Sequence, residues 1–311
     1  MTLFVNIKTR LLNLTVLIAF VAAVEYWLGW GTLLASWTLL PPTLVVSAAS
    51  AHIASYGVRA ARIYWAESAI PRGRYLDCLR LLLINNSINI LLPMRAGEAS
   101  FPILMRRWFG VDAARATGTL LWLRLLDLHV LAAIGVVCAG HGWLIAATEL
   151  TLVLAGLAVL LPVAVFALRA PLQSRLARRT DRLSLIGARL LGGMPARTPL
   201  LLKDLALTWT AWIIKLAALA SVFAALSGLP ATLATLGVIG GDLSTVLPLH
   251  TPGGFGSYEA GVLALVAPAE GLNATLAAAA VNLHLFVLAL ALGAGGLAWM
   301  TAPPRLRDNR S

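Results

Sequence analysis

Six stretches of this 311-residue chain are apolar over the length needed to cross a bilayer. A hydrocarbon core of roughly 30 Å takes about 17–25 helical residues. The stretches lie at about Leu11–Leu28, Leu33–Tyr56, Ala116–Ala139, Trp143–Leu168, Leu200–Leu226 and Leu272–Met300. Across the chain 59% of residues are hydrophobic and 12% charged, against about 45–50% and 25% in a soluble domain. Water cannot solvate a fold of that composition, so the expected class is an all-α integral membrane protein. The run from Leu11 to Trp30 is longer than the apolar core of a secretion signal and has no small-x-small cleavage site, so it is expected to stay as the first helix.

Two further apolar regions break in the middle. One runs from Asp77 to Leu92, stops at Pro93-Met94-Arg95-Ala96-Gly97-Glu98, and resumes to Phe109. The other runs from Thr232 to Leu247, stops at Pro248-Leu249-His250-Thr251-Pro252-Gly253-Gly254, and resumes to Pro268. Each reads as two short helices joined by a Pro/Gly turn, a re-entrant hairpin that enters and leaves on one side. Broken backbone at membrane depth is tolerated only where protein or a polar cavity surrounds it.

The basic residues test that topology. With both regions as hairpins, 21 of the 24 Lys and Arg fall in five segments on one side: the N-terminal tail, residues 59–80, 106–115 and 169–203, and the C-terminal tail. The opposite turns near Gly29, Gly140, Gly228 and Gly271 carry none. Positive charge marks the cytoplasmic side, so both termini are expected there, in a multi-pass protein of the bacterial inner membrane. The net charge of +11 is therefore read as a match to anionic head groups and not to nucleic acid. The eight basic residues of 169–203 are expected to set topology or to recruit lipid. Cys78 and Cys138 form no metal or redox motif.

About six spans and two hairpins then divide into residues 1–141, with the hairpin at 77–109, and 142–311, with the hairpin at 232–268 and the basic loop 169–203. The halves have the same order of elements and opposite orientation, an inverted-topology repeat. In transporters with such repeats, broken helices place substrate sites near the midplane.

Ionisable groups inside apolar segments are costly and mark function. The first hairpin offers Asn86, Asn89, Arg95 and Glu98. The following span adds Arg124 and Asp127, which share a face at i, i+3, and Lys215 lies in the penultimate span. The second hairpin offers Asp242, His250, Gly254, Tyr258 and Glu259. An Arg at a helix break suits a phosphate, because its planar fork holds two oxygens. The first hairpin's groups are also consistent with a polar plug that holds it in place, Arg124 and Asp127 with a structural salt bridge, the second hairpin's glycines with close helix packing, and Lys215 with charge balance. His52 and His284 are read as satisfied core histidines, and Trp27, Trp30, Trp37, Trp143 and Trp299 as interface anchors. No catalytic signature and no metal-ligand spacing is present, so neither enzymatic activity nor a cofactor is expected.

Three of these segments, Asn89-Ile90-Leu91-Leu92-Pro93-Met94-Arg95-Ala96-Gly97-Glu98, Arg124-Leu125-Leu126-Asp127 and Pro252-Gly253-Gly254-Phe255-Gly256-Ser257-Tyr258-Glu259, resemble the N-x-x-L-P-x-R-x-G-E, E-R-x-x-D and P-G-G-x-G-x-x-E signatures of the lysylphosphatidylglycerol synthase transmembrane, or flippase-like, family. The chain departs from the second signature with Leu123 in place of the acidic residue. Only Thr301–Ser311 follows the last apolar run, so the resemblance implies the membrane half of a synthase and not aminoacylation. It implies movement of an anionic phospholipid or related amphiphile between leaflets. The alternative is a membrane-embedded transferase or accessory protein acting on a hopanoid or polyprenyl-glycan substrate. The partners implied are membrane lipids with anionic head groups, with a second copy or a lipid-synthesis enzyme left open.

Overall fold

The computed structural model describes residues 7–67, 69–92, 97–142, 148–245 and 251–302. Among these the chain is all helical: α1 Ile7–Trp27, α2 Trp30–Ala35, α3 Pro42–Ala66, α4 Tyr75–Leu91, α5 Ser100–Phe109, α6 Ala113–Gly142, α7 Thr148–Ala177, α8 Arg182–Leu191, α9 Thr198–Ser227, α10 Ala231–Ser244, α11 Ser257–Glu270 and α12 Ala274–Met300.

Four helices, α6, α7, α9 and α12, are long and apolar enough to cross a membrane. A fifth crossing arises if the α1 end and the α2 segment, bent by 80° at the break after Trp27, count as one. These are spans among the described residues, and the second apolar run of the sequence is built differently from the single helix expected. Leu33–Tyr56 is not one helix. Its chain stops at Leu40, which is extended (φ −84°, ψ 139°), ahead of Pro41-Pro42. A residue before proline is pushed out of the helical region, and proline then serves as a first helical residue. α3 therefore starts at Pro42 and runs to Ala66, ~37 Å at 1.5 Å per residue. It is long enough to cross but too polar to qualify by composition.

α7 shows what the bilayer must supply. Leu150, Leu152, Val153, Leu157, Leu160 and Leu161 are all exposed on it, a face that only lipid or another apolar surface can cover.

Two compact units divide the chain, each drawing on both halves of the sequence. One comprises residues 1–50, 89–97 and 216–290; the other comprises 51–88, 98–215 and 291–311. This division follows contacts, whereas the repeat expected at 141/142 concerns symmetry of the chain, so neither tests the other. In the second unit Cys78, Leu81 and Leu82 of α4 and Phe101 and Met105 of α5 enter one core with Ile63 of α3 and Leu120, Leu123 and Leu126 of α6. The first hairpin thus packs on protein. Asn85 donates to the Ser100 hydroxyl (2.8 Å), tying α4 to α5, and Ser87 donates to the Ala291 carbonyl (3.1 Å). At the turn, a Cβ on Gly97 would come within 2.6 Å of the Asn89 backbone, so only glycine lets the chain return so close to α4.

In the first unit α10 and α11 pack at a glycine contact. A Cβ on Gly240 would lie 2.1 Å from the Gly261 carbonyl oxygen. Each of these two helices is ~21 Å long and falls short of the roughly 30 Å of hydrocarbon. The turn before α11 explains its Pro-Gly-Gly-x-Gly spelling: Gly253, Gly254 and Gly256 take φ of 70°, 77° and 81°, values that side chains disfavour.

Candidate functional site: a buried ionic cluster

The charged residues expected in the first half gather in the second unit, around Asp127 of α6. Its carboxylate is buried and accepts from Arg62 Nη1 at 2.8 Å, from Trp212 Nε1 at 2.8 Å and, more loosely, from Arg59 Nη2 at 3.5 Å. Arg124, one turn away on the same helix, reaches Asp127 at 3.6 Å and donates through Nε to Glu98 at 3.1 Å. Three helices are needed. α3 supplies Arg59 and Arg62 at i, i+3 on one face; α6 supplies Arg124 and Asp127 with the same spacing; α9 supplies Thr208, which accepts from Arg62 (3.0 Å), and Trp212. Lys215, buried on α9, stands over the Trp212 ring at 4.7 Å, and Arg59 over the same ring at 5.4 Å.

Among the described residues three guanidiniums thus meet the carboxylates of Asp127 and Glu98, and Asp204 is buried on α9, within electrostatic reach of Arg62. Exposure is graded across the cluster. The side chains of Arg62 and Asp127 are 3% and 9% exposed, whereas those of Arg124 and Glu98 are 33% and 25%. One edge is sealed and the other is open.

Arg59 and Arg62, expected only as two of the basic residues of the cytoplasmic segment 59–80, are members of the buried cluster. Both lie at the end of an apolar run, where counting charge along the chain assigns them to a loop. The recoverable signal was their spacing, which puts both on one helical face opposite Asp127. Asn86 and Asn89 sit half-buried on α4. Arg95 and His250 lie outside the described residues.

A second constellation forms in the first unit. Glu259, in the first turn of α11, accepts from the Gly256 backbone N–H at 2.8 Å through one oxygen. Its other oxygen lies 2.7 Å from His284 Nδ1 of α12. Tyr258 stacks on the His284 ring with centroids 4.5 Å apart and planes 16° apart. Phe255 packs against that ring at 5.4 Å and against Phe20 at 4.8 Å. Gly254 is buried in the turn, and Asp242 is buried on α10. His284, read as an isolated core histidine, is the partner of two expected site residues. The 25 positions separating it from Glu259 left no local spacing to reveal the pair. His52 is a core residue as expected but only half satisfied: Nε2 lies 3.0 Å from the Tyr56 hydroxyl, while the buried Nδ1 has no hydrogen-bond partner among the described residues. Trp37 is more than an interface anchor, because its indole N–H donates to Asn282 Oδ1 at 2.9 Å.

Long apolar helices together with charged side chains buried among the helices of the second unit define an integral membrane protein that keeps ionic groups in its interior. This protein belongs to the family of the lysylphosphatidylglycerol synthase TM region, whose family model matches residues 10–295. No curated protein and no solved structure matches the chain. The family ties it to lipid metabolism or translocation.

Proposed function

We propose that the protein moves an anionic phospholipid, or an amphiphile with a similar phosphate head group, between the leaflets of the bacterial inner membrane, with both termini cytoplasmic. The observation that carries this reading is the graded cluster around Asp127. Burying charge in hydrocarbon is expensive, and a guanidinium at the partly exposed edge of a buried ionic cluster is suited to a visiting anion. Arg62, Arg59 and Trp212 fix Asp127 as the rigid base. Arg124 is the exchangeable member: its guanidinium is held by Glu98 at the open edge, and a phosphate entering there offers two oxygens to the same planar fork. Glu98 then acts as a placeholder that keeps Arg124 paired when no lipid is bound and is displaced when one arrives. The basic segments on one side of the chain support the orientation.

The test is reconstitution into vesicles carrying head-group-labelled phosphatidylglycerol, with label in the inner leaflet followed by its loss of protection from a membrane-impermeant quencher. Wild-type protein is expected to equilibrate the label, and Arg124→Gln to slow it at least roughly tenfold, the value of one charge-assisted hydrogen bond of about 1.5–3 kcal/mol. Folded wild-type protein that moves no anionic lipid overturns the reading.

One observation favours a different function. Glu259 and His284 form the carboxylate–imidazole pair that a membrane-embedded transferase would use as a general base. That reading calls for a covalent product from a lipid-linked substrate, lost in His284→Gln.

A further inference from the structure

The basic segment between α7 and α9 contains α8, and its surface is amphipathic in an unusual sense: its apolar side chains point away from the protein. Ser184 is buried, and Gly187, Ala188 and Leu191 are half-buried, so this stripe is the packed face. Leu183 and Ile186, at i, i+3, lie on the outer side with Leu185 beside them, at 80%, 38% and 45% exposure. Leu172 of α7 is exposed as well. Around these leucines stand Arg175, Arg178, Arg179 and Arg182, all exposed. Residues 169–203 hold eight basic residues and a single acid, Asp181. That acid is already engaged as the N-cap of α8, accepting from the Ser184 N–H at 3.0 Å, and this bond holds its carboxyl below the usual range.

The depth of α8 is fixed by its far end. Arg169, the first charge after the apolar stretch of α7, donates to the Leu191 carbonyl at 3.2 Å. The Leu190 carbonyl lies so close to Gly118 that any Cβ there would collide with it, and Thr119 donates to the Gly193 carbonyl at 3.2 Å. Gly118 and Thr119 sit at the start of the α6 apolar run. The helix is therefore pinned where the apolar parts of α6 and α7 begin.

We propose that α8 is a docking surface for an anionic leaflet, with Leu183 and Ile186 inserted among the acyl chains and the surrounding arginines on the head groups. Charge complementarity selects the occupant: a row of exposed arginines beside exposed leucines, with no free acid among them, matches a negatively charged lipid surface and repels a second copy of the same basic face. This inference stands apart from the transport reading, because the surface is built from residues outside the Asp127 cluster.

The experiment uses the full chain with Cys78 and Cys138 replaced by alanine and a spin label at Leu183→Cys. The protein is placed in nanodiscs of phosphatidylcholine alone or of an equimolar mixture with phosphatidylglycerol. In the anionic discs the label should be reached by oxygen in preference to a water-soluble nickel complex, and in the neutral discs this preference should fall. Arg178→Gln, Arg179→Gln and Arg182→Gln combined should shift the inserted population by roughly a hundredfold, at about fivefold for each arginine near the surface. A label that stays water-accessible in both discs overturns the proposal. So does dipolar coupling between labels on two protein copies, which would assign the face to self-association. Labelled lipid movement in the same discs plays no part in the outcome, so failure here leaves the transport reading untouched.

Discussion

Arg62 and Arg124 both touch Asp127, and their surroundings separate what each contributes. Arg62 is sealed, 2.8 Å from the carboxylate and hydrogen-bonded to Thr208. Removing one partner of a buried ion pair strands the other and costs about 3–5 kcal/mol. Arg62→Gln should therefore lower the unfolding temperature in detergent markedly, and Asp127→Asn, which takes the carboxylate from Arg62 and Arg59, should do the same. Arg124 is one-third exposed, 3.1 Å from Glu98 and 3.6 Å from Asp127, a setting in which ion pairs contribute about 0.2–1 kcal/mol. Arg124→Gln is expected to leave the unfolding temperature nearly unchanged while slowing lipid movement. If it unfolds the protein as readily as Arg62→Gln does, the open edge is structural and the division fails. At this scale the sequence disclosed Glu98, Arg124, Asp127 and Glu259, because a charge inside an apolar run is conspicuous. It concealed Arg59, Arg62 and His284. The two arginines lie where a run gives way to a polar segment, and the histidine finds its partner only through packing between helices.

Among the elements, the short helices expected on either side of the two Pro/Gly breaks are present: α4 ends at Leu91 and α5 begins at Ser100, and α10 ends at Ser244 and α11 begins at Ser257. The break at Pro41-Pro42 carried the same signal and was missed, because apolar residues on both sides kept the run continuous when averaged for hydropathy. Packing of the broken elements was not legible, since it depends on which glycine meets which backbone. Gly240 of α10 faces the Gly261 carbonyl with no room for a methyl group. Gly240→Ala must push α10 and α11 apart, and overpacking of this kind costs about 1–3 kcal/mol. Gly293 of α12 has open space where a methyl group would stand, with no atom within 4 Å, and a helical backbone. Gly293→Ala should therefore be neutral or slightly stabilising. Unfolding temperatures of the two variants, compared with wild type, check the contrast. Equal effects would mean that the α10–α11 contact does not constrain the fold.

For the molecule as a whole, the asymmetry of basic residues is the ground for the orientation proposed for α10 and α11. The turns near Gly228 and Gly271 carry no Lys or Arg. If α10 and α11 were one kinked span, their outer ends at Ala231 and Leu272 would face opposite compartments, and every segment after them would reverse. The last helix would then deliver the basic C-terminal tail to the outside, against the charge rule. If they form a hairpin that enters and leaves on one side, both ends face outward. Ala231→Cys and Leu272→Cys, each exposed and each placed in a chain without Cys78 and Cys138, should both react with a membrane-impermeant maleimide added to intact spheroplasts. Thr180→Cys, in the basic segment, should react only after the membrane is opened. Reaction of Ala231→Cys and Leu272→Cys from opposite sides would turn the pair into a crossing, and with it would fall the opposed orientation on which the repeat symmetry rests.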